Sequence, residues 1–202
     1  MDETAEKGSQ PPTATTGGLE HLQQVQELNR AFLGLLQGRL REPWPCFGLP
    51  VAARPALKQA QPEMLEIAAC FPRALFYLSV SSTTARARPD AATHPDDAEH
   101  DLVLSMLFTV RHASRQSPYQ ARLLFGLVEP DLDVFRRLPL ADPQRLAAMP
   151  GVLQCACRDR HWLWQGLFTA TRPELRRQLT LMALQPAVDA DWPRRRPPHA
   201  SA

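Results

Sequence analysis

The triplet Phe-Gly-Leu occurs twice in this chain, at Phe47-Gly48-Leu49 and at Phe125-Gly126-Leu127, with the glycines 78 residues apart. Its surroundings recur with it. A helical pattern precedes each triplet, and a short amphipathic stretch containing proline follows, Pro50–Gln59 in one case and Pro130–Leu138 in the other. A proline-initiated helix comes next, Gln61-Pro62-Glu63-Met64-Leu65 or Asp142-Pro143-Gln144-Arg145-Leu146. A strand-like apolar run ends each block, Ala74–Val80 or Val152–Cys157. A shared order of five elements points to an internal duplication. The step from triplet to proline helix is three residues longer in the second block, which places an insertion around Leu138-Pro139-Leu140.

The first helix is the clearest periodic signal. Leu19, Leu22, Val25, Leu28, Phe32, Leu35 and Leu36 recur at spacings of three, four and seven, with Leu33 and Leu40 widening the stripe before Pro43 ends the helix. A stripe this wide on a small unit asks for a partner. Leu22, Val25, Leu28, Phe32, Leu35 and Leu36 are therefore the expected partner interface, the alternative being packing on the second block of the same chain. In the second block Leu102, Val103, Met106, Leu107 and Val110 mark a helix, and Pro118 starts another that runs to Leu124.

These patterns predict a mainly α fold with short β-strands. A disordered N-terminal tail covers 1–18, the first unit 19–80, a polar Pro/Ser/Thr/Asp-rich linker 81–98, the second unit with a basic C-terminal helix 99–185, and a basic disordered tail 186–202. Asp96, Asp97 and Glu99 read as a solvated linker cluster. His161-Trp162-Leu163-Trp164 reads as a strand extending Val152–Cys157 in a hairpin, and Pro173–Leu184 as the last helix.

Charge is unevenly spread. Residues 1–135 hold 12 Lys+Arg against 16 Asp+Glu, whereas residues 136–202 hold 11 Arg against 5 Asp+Glu. A basic C-terminal part suits a phosphate-binding surface, and arginine suits phosphate and base edges better than lysine. The candidate DNA contacts are Arg136, Arg137, Arg158, Arg160, Arg172, Arg176 and Arg177. A solvated basic face accounts for them equally well.

Other chemistry finds little support. Cys155 and Cys157, two apart on a strand, would share a face and could begin a zinc site, but no further ligand has zinc-finger spacing. His161 near those cysteines makes a Cys-His catalytic pair conceivable, yet no nucleophile elbow or metalloprotease motif accompanies it. The glycines form no phosphate loop. The expectation is a protein without enzymatic activity, metal or cofactor. The polar N-terminus and the lack of any apolar run near the roughly 18 residues of a membrane span predict a soluble, cytoplasmic chain with reduced thiols.

Leu28–Val80 resembles the FlhD family, a subunit of the bacterial flagellar master regulator. The likeness rests on the helix start Leu28-Asn29-Arg30-Ala31-Phe32-Leu33, the turn Phe47-Gly48-Leu49, the step Pro62-Glu63-Met64-Leu65-Glu66-Ile67-Ala68 and the run Leu75-Phe76-Tyr77-Leu78. Arg122–Cys157 resembles the same unit more loosely. The resemblance implies two tandem FlhD-like helical units in a transcriptional activator subunit, bacterial and of the kind carried on integrative and conjugative elements. It implies an FlhC-like protein partner and double-stranded DNA as ligands. The family forms a ring-like homo-oligomer; a chain with two units could replace a dimer of single ones. The alternative function is a protein-interaction adaptor or accessory subunit of a bacterial secretion or conjugation system, without DNA contact.

Overall fold

The computed structural model describes residues 16–41, 46–80, 95–157, 160–170 and 172–184. The fold is mainly helical with one small sheet. The first half runs α1 (Thr16–Arg39), a single 3-10 turn (Val51–Ala53), α2 (Arg54–Gln59), α3 (Pro62–Ala69) and β1 (Phe76–Leu78). The second half runs α4 (Asp97–Gln116), α5 (Pro118–Phe125), α6 (Glu129–Arg137), α7 (Asp142–Ala147) and β2 (Leu153–Cys155), followed by α8 (His161–Thr169) and α9 (Pro173–Leu184). After each Phe-Gly-Leu triplet come two short α-helices and a strand, but α5, between α4 and the second triplet, has no counterpart before the first among the described residues. Four residues, 138–141, separate α6 from α7, where two, 60–61, separate α2 from α3.

The two halves do not form separate cores. β1 pairs antiparallel with β2, with Phe76 opposite Cys155, Tyr77 opposite Gln154 and Leu78 opposite Leu153. Two flanking hydrogen bonds extend the ladder: Ser79 N–H donates to the Val152 carbonyl (2.8 Å) and Ala156 N–H to the Leu75 carbonyl (2.9 Å). Both donors and both acceptors lie 77 residues apart, so exchanging the halves turns one bond into the other. Each half also bonds to the turn region of the other. Cys155 N–H donates to the Phe47 carbonyl, and Ala74 N–H to the Leu124 carbonyl, both at 2.7 Å.

The Phe-Gly-Leu triplets supply the physical reason for the joint core. Gly48 (φ 77°) and Gly126 (φ 66°) take the left-handed conformation that lets the chain turn sharply, and Gly126 closes α5 with its N–H on the Arg122 carbonyl. The leucines, Leu49 and Leu127, are buried. The phenylalanines join a line of rings, Phe47 to Phe32, Phe32 to Phe76 and Phe76 to Phe125, with centroids 6.1–6.3 Å apart. That spacing suits tilted and edge-on aromatic pairs. One continuous apolar cluster results, drawn from both halves.

Helix α1 lies inside this core. It packs on α3, α4 and α5. Val25, Phe32 and Leu36 are wholly buried, and Leu22, Leu28 and Leu35 pack partly buried against the cluster. The stripe expected to meet another protein is thus covered mostly by the chain itself, because the second half supplies the apolar partner that a single unit would lack.

Three further expectations are corrected. Helix α1 begins at Thr16, so 16–18 are helical; Gly18 sits against Gln120 of α5, where a Cβ would lie 3.3 Å from its Nε2. Residues 1–15 lie outside the described residues. In the expected linker, 81–94 lie outside them too, but Asp97 and Ala98 belong to α4 and Asp96 caps it, accepting the Glu99 N–H (2.8 Å). Finally, His161–Thr169 is a helix. Cys157, at φ 51°, breaks the extended backbone after β2, and Leu163, Trp164, Leu167 and Phe168 then bury at helical spacing. The expected C-terminal tail lies outside the described residues.

Two buried polar groups specify how the helices meet. Asn29 of α1 has no exposure. Its amide donates to the carbonyls of Ala69 (3.4 Å), Phe71 (3.3 Å) and Arg73 (3.0 Å), and its oxygen accepts the Leu75 N–H (2.8 Å). One side chain thereby satisfies the backbone that carries α3 into β1. Arg39, at the C-terminal end of α1, is also buried and pairs with Asp96 and Glu99 (both 2.9 Å) at the start of α4. This arrangement places a cation at a helix C-terminus and carboxylates at a helix N-terminus, each favourable for its dipole. Burial pushes the Glu99 carboxyl above its ordinary value; the Arg39 guanidinium opposes that push and Asp96 adds to it.

Asn29→Leu should cost about 3 kcal/mol in urea unfolding, because it leaves the Leu75 N–H and three carbonyls without their partner. Asn29→Asp should cost at least as much near neutral pH, since it faces those carbonyls with a carboxylate. Arg39→Leu should cost about 3 kcal/mol by leaving Glu99 buried without its cation, whereas Arg30→Leu, at the exposed pair with Glu66, should cost under about 1 kcal/mol. A raised folded value means that the Glu99 contribution is fully present below about pH 4.5, its unfolded value, and is lost as pH rises through the folded value. Glu99→Gln should flatten that stretch of the stability–pH curve. Ser114, wholly buried on α4, has a hydroxyl with no hydrogen-bond partner among the described residues. Ser114→Ala should leave stability unchanged or raise it by about 1 kcal/mol.

Candidate functional site

The arginines expected to contact DNA fall into two groups. Arg136 and Arg137 end α6, both exposed, and share a shallow depression with Arg115 of α4 and Asp133. Asp133 lies 3.8 Å from Arg136, a loose surface pair in which both side chains are half exposed. Arg115 joins this group only through folding, because α6 packs on α4. Nearby Arg111 is committed elsewhere: its Nε donates to the Leu138 carbonyl (2.8 Å) and holds the end of α6.

The second group belongs to α9 and its approach. Arg172 and Arg177 are exposed. Arg176 is half-buried and donates from Nε to the Ala170 carbonyl (2.8 Å), so it closes the α8–α9 turn. Arg160 donates to the carbonyls of Met182 (3.0 Å) and Ala183 (3.4 Å), capping the last turn of α9. Arg158 lies outside the described residues. Arg176 and Arg160 are therefore engaged in structural bonds, while Arg172 and Arg177 present their charge to solvent.

The tryptophans diverge for the same reason that the expected hairpin is a helix. On α8, residues two apart point to opposite sides. Trp164 is fully buried with its indole N–H on the Ala156 carbonyl (2.8 Å), and Trp162 is partly exposed. Cys155 is buried on β2, whereas Cys157 lies in the turn beyond it, half-buried. Among the described residues no cluster of three His, Cys, Asp or Glu side chains is placed to hold a metal. Among them, too, no helix is long and apolar enough to cross a membrane.

Apolar surface is gathered on α9. Leu175 and Met182, seven residues apart, share its outer face, and Leu181 adds to it; all three are exposed. Tyr119 and Leu123 form a second exposed pair, four apart on α5.

One concavity was not foreseen from the sequence. An open cleft of about 680 Å³ lies beside the strand pair, lined by Gly48, Arg73, Tyr77, Phe125, Gly126, Cys155, Ala156 and Cys157. It lies where the two triplet turns and both strands converge. Two residues with left-handed backbone other than glycine, Phe47 (φ 48°) and Cys157 (φ 51°), stand at this place. Such conformations cost on the order of 1 kcal/mol or more and cluster at functional sites. The Tyr77 hydroxyl donates to Asp131 Oδ2 (3.0 Å) across the halves. Only the triplet glycines hinted at the cleft, since Arg73 belongs to no periodic pattern.

No protein-family model, no curated protein and no solved structure matches this chain.

Proposed function

We propose that this chain is a non-enzymatic subunit of a transcriptional activator, built as a fused pair of FlhD-like units and meeting DNA together with an FlhC-like partner. The observation that carries the reading is the exposed arginine group of Arg115, Arg136 and Arg137, faced only loosely by Asp133. Arg172 and Arg177 offer a second exposed pair. Surface guanidinium groups not tied into the fold are what a phosphate backbone can use. The resemblance of Leu28–Val80 supports the FlhD side of such a pair. The reciprocal bonds of Ser79 and Ala156 support two equivalent units joined as a dimer would be. With the α1 stripe covered by the chain itself, partner contact passes to exposed apolar residues such as Leu175 and Met182.

A second reading, an adaptor without DNA contact, is favoured by that same apolar face of α9. The two readings part in a mobility-shift assay at two salt concentrations, with the chain alone and with the products of neighbouring genes, on promoter DNA from that neighbourhood. The regulator reading expects a shift that weakens steeply with salt. Arg136→Ala/Arg137→Ala should reduce affinity and lower the slope of log affinity against log salt by up to about 1.8, at roughly 0.9 per lost phosphate contact. A complex that forms with a neighbour's product but shifts no DNA would leave the adaptor.

A further inference from the structure

Arg73 precedes β1 and borders the cleft beside the strand pair. Its side chain is held from two directions. Nη1 donates to the Ala183 carbonyl (3.0 Å) at the end of α9. The Nε–Nη2 edge lies over Gly126, so closely that a Cβ there would overlap it, at 2.7 Å from Cζ. Glycine at 126 thus serves both the left-handed turn and the approach of the guanidinium.

This guanidinium is substantially buried but has no carboxylate opposite it among the described residues. Burial lowers its pKa, negative charge on the Cys157 sulfur opposes that, and the second guanidinium of Arg160 adds to the lowering. Arginine nevertheless stays charged in proteins. Asp131 accepts the hydroxyl of Tyr77, a residue of the cleft wall. A buried cation with no carboxylate beside it among the described residues is costly, and one that borders an open cavity is placed to receive an anion. Beside Arg73 and the cysteines Cys155 and Cys157, the wall offers the apolar surface of Phe125, Tyr77 and Ala156 and the backbone of Gly48 and Gly126.

From this geometry we infer that the cleft is a binding site for a small organic anion, whose oxyanion head group meets the Arg73 guanidinium where it borders the cleft, away from Gly126, and whose apolar body lies along Phe125 and Tyr77. A carboxylate and a phosphate monoester present the same chemistry to a guanidinium fork. The inference does not depend on DNA binding. In a regulator this would be an effector site; in an adaptor it would still bind.

The half-buried Cys157 thiol lines the same cleft and reports on its charge, and the exposed Cys70 provides a reference elsewhere. The full-length native chain is alkylated with iodoacetate or with iodoacetamide, and peptide mass spectrometry gives the rate at each cysteine. Iodoacetate, the anionic reagent, should be favoured at Cys157 by several-fold over its ratio in the urea-unfolded chain. Arg73→Met should abolish that preference without changing the ratio at Cys70. Arg73→Lys, which keeps the charge but not the fork, should retain part of it and guards against a folding defect in the first variant. Millimolar benzoate or phenyl phosphate should protect Cys157 in the wild type and not in Arg73→Met, and whichever protects at the lower concentration names the head group. Benzyl alcohol, the neutral analogue, should not protect. An iodoacetate preference unaffected by Arg73→Met, or equal protection by benzyl alcohol, would overturn the inference, as would absence of protection by both anions.

Discussion

Everything in this fold hangs on the pairing of two three-residue strands that come from opposite halves of the chain. A ladder this short is marginal in isolation. It persists because Phe76 of β1 stands in the middle of a line of four aromatic rings that begins and ends at the two Phe-Gly-Leu turns. Neither half can complete that line alone, since Phe32, Phe47 and Phe76 come from the first and Phe125 from the second. Hydrogen bonds from each half to the other's turn region add direction to an attraction that is otherwise non-directional.

The buried polar contacts then select one arrangement among those that apolar packing would allow. Asn29 fixes the path from α3 into β1 by meeting four backbone groups, and so sets the strand against its partner. Arg39 fixes where α4 begins relative to the end of α1. Tyr77 and Asp131 join the halves near the cleft. Each is a group that costs free energy if left unpaired, so each penalises a slipped register more than a lost apolar contact would.

The same convergence produces the cleft. Where two sharp turns and two strand ends meet, glycine backbone leaves room that side chains would fill, and Arg73 enters that room because Gly126 has no Cβ. The basic surfaces are a separate matter. Arg172, just before α9, and Arg177 on it are exposed and close in sequence, whereas Arg136 and Arg137 acquire Arg115 only when α6 packs on α4.

The sequence by itself determined the triplet turns and the helices other than His161–Thr169. Those depend on proline, glycine and apolar spacing, which act over a few residues. It also marked the apolar stripe of α1 but not what covers it, because a stripe looks the same whether its partner is another protein or the far half of the chain. His161-Trp162-Leu163-Trp164 reads as a strand but begins a helix: a brief run of bulky residues suits either state, and the left-handed turn at Cys157, which breaks the extended path, leaves no mark in residue type. Asp96 and Glu99 read as solvated because their cation, Arg39, lies some sixty residues away. The strand register, the buried polar contacts and the Arg73 cleft were decided by tertiary structure alone, because each joins residues far apart in the chain, and no local pattern records which distant groups will meet.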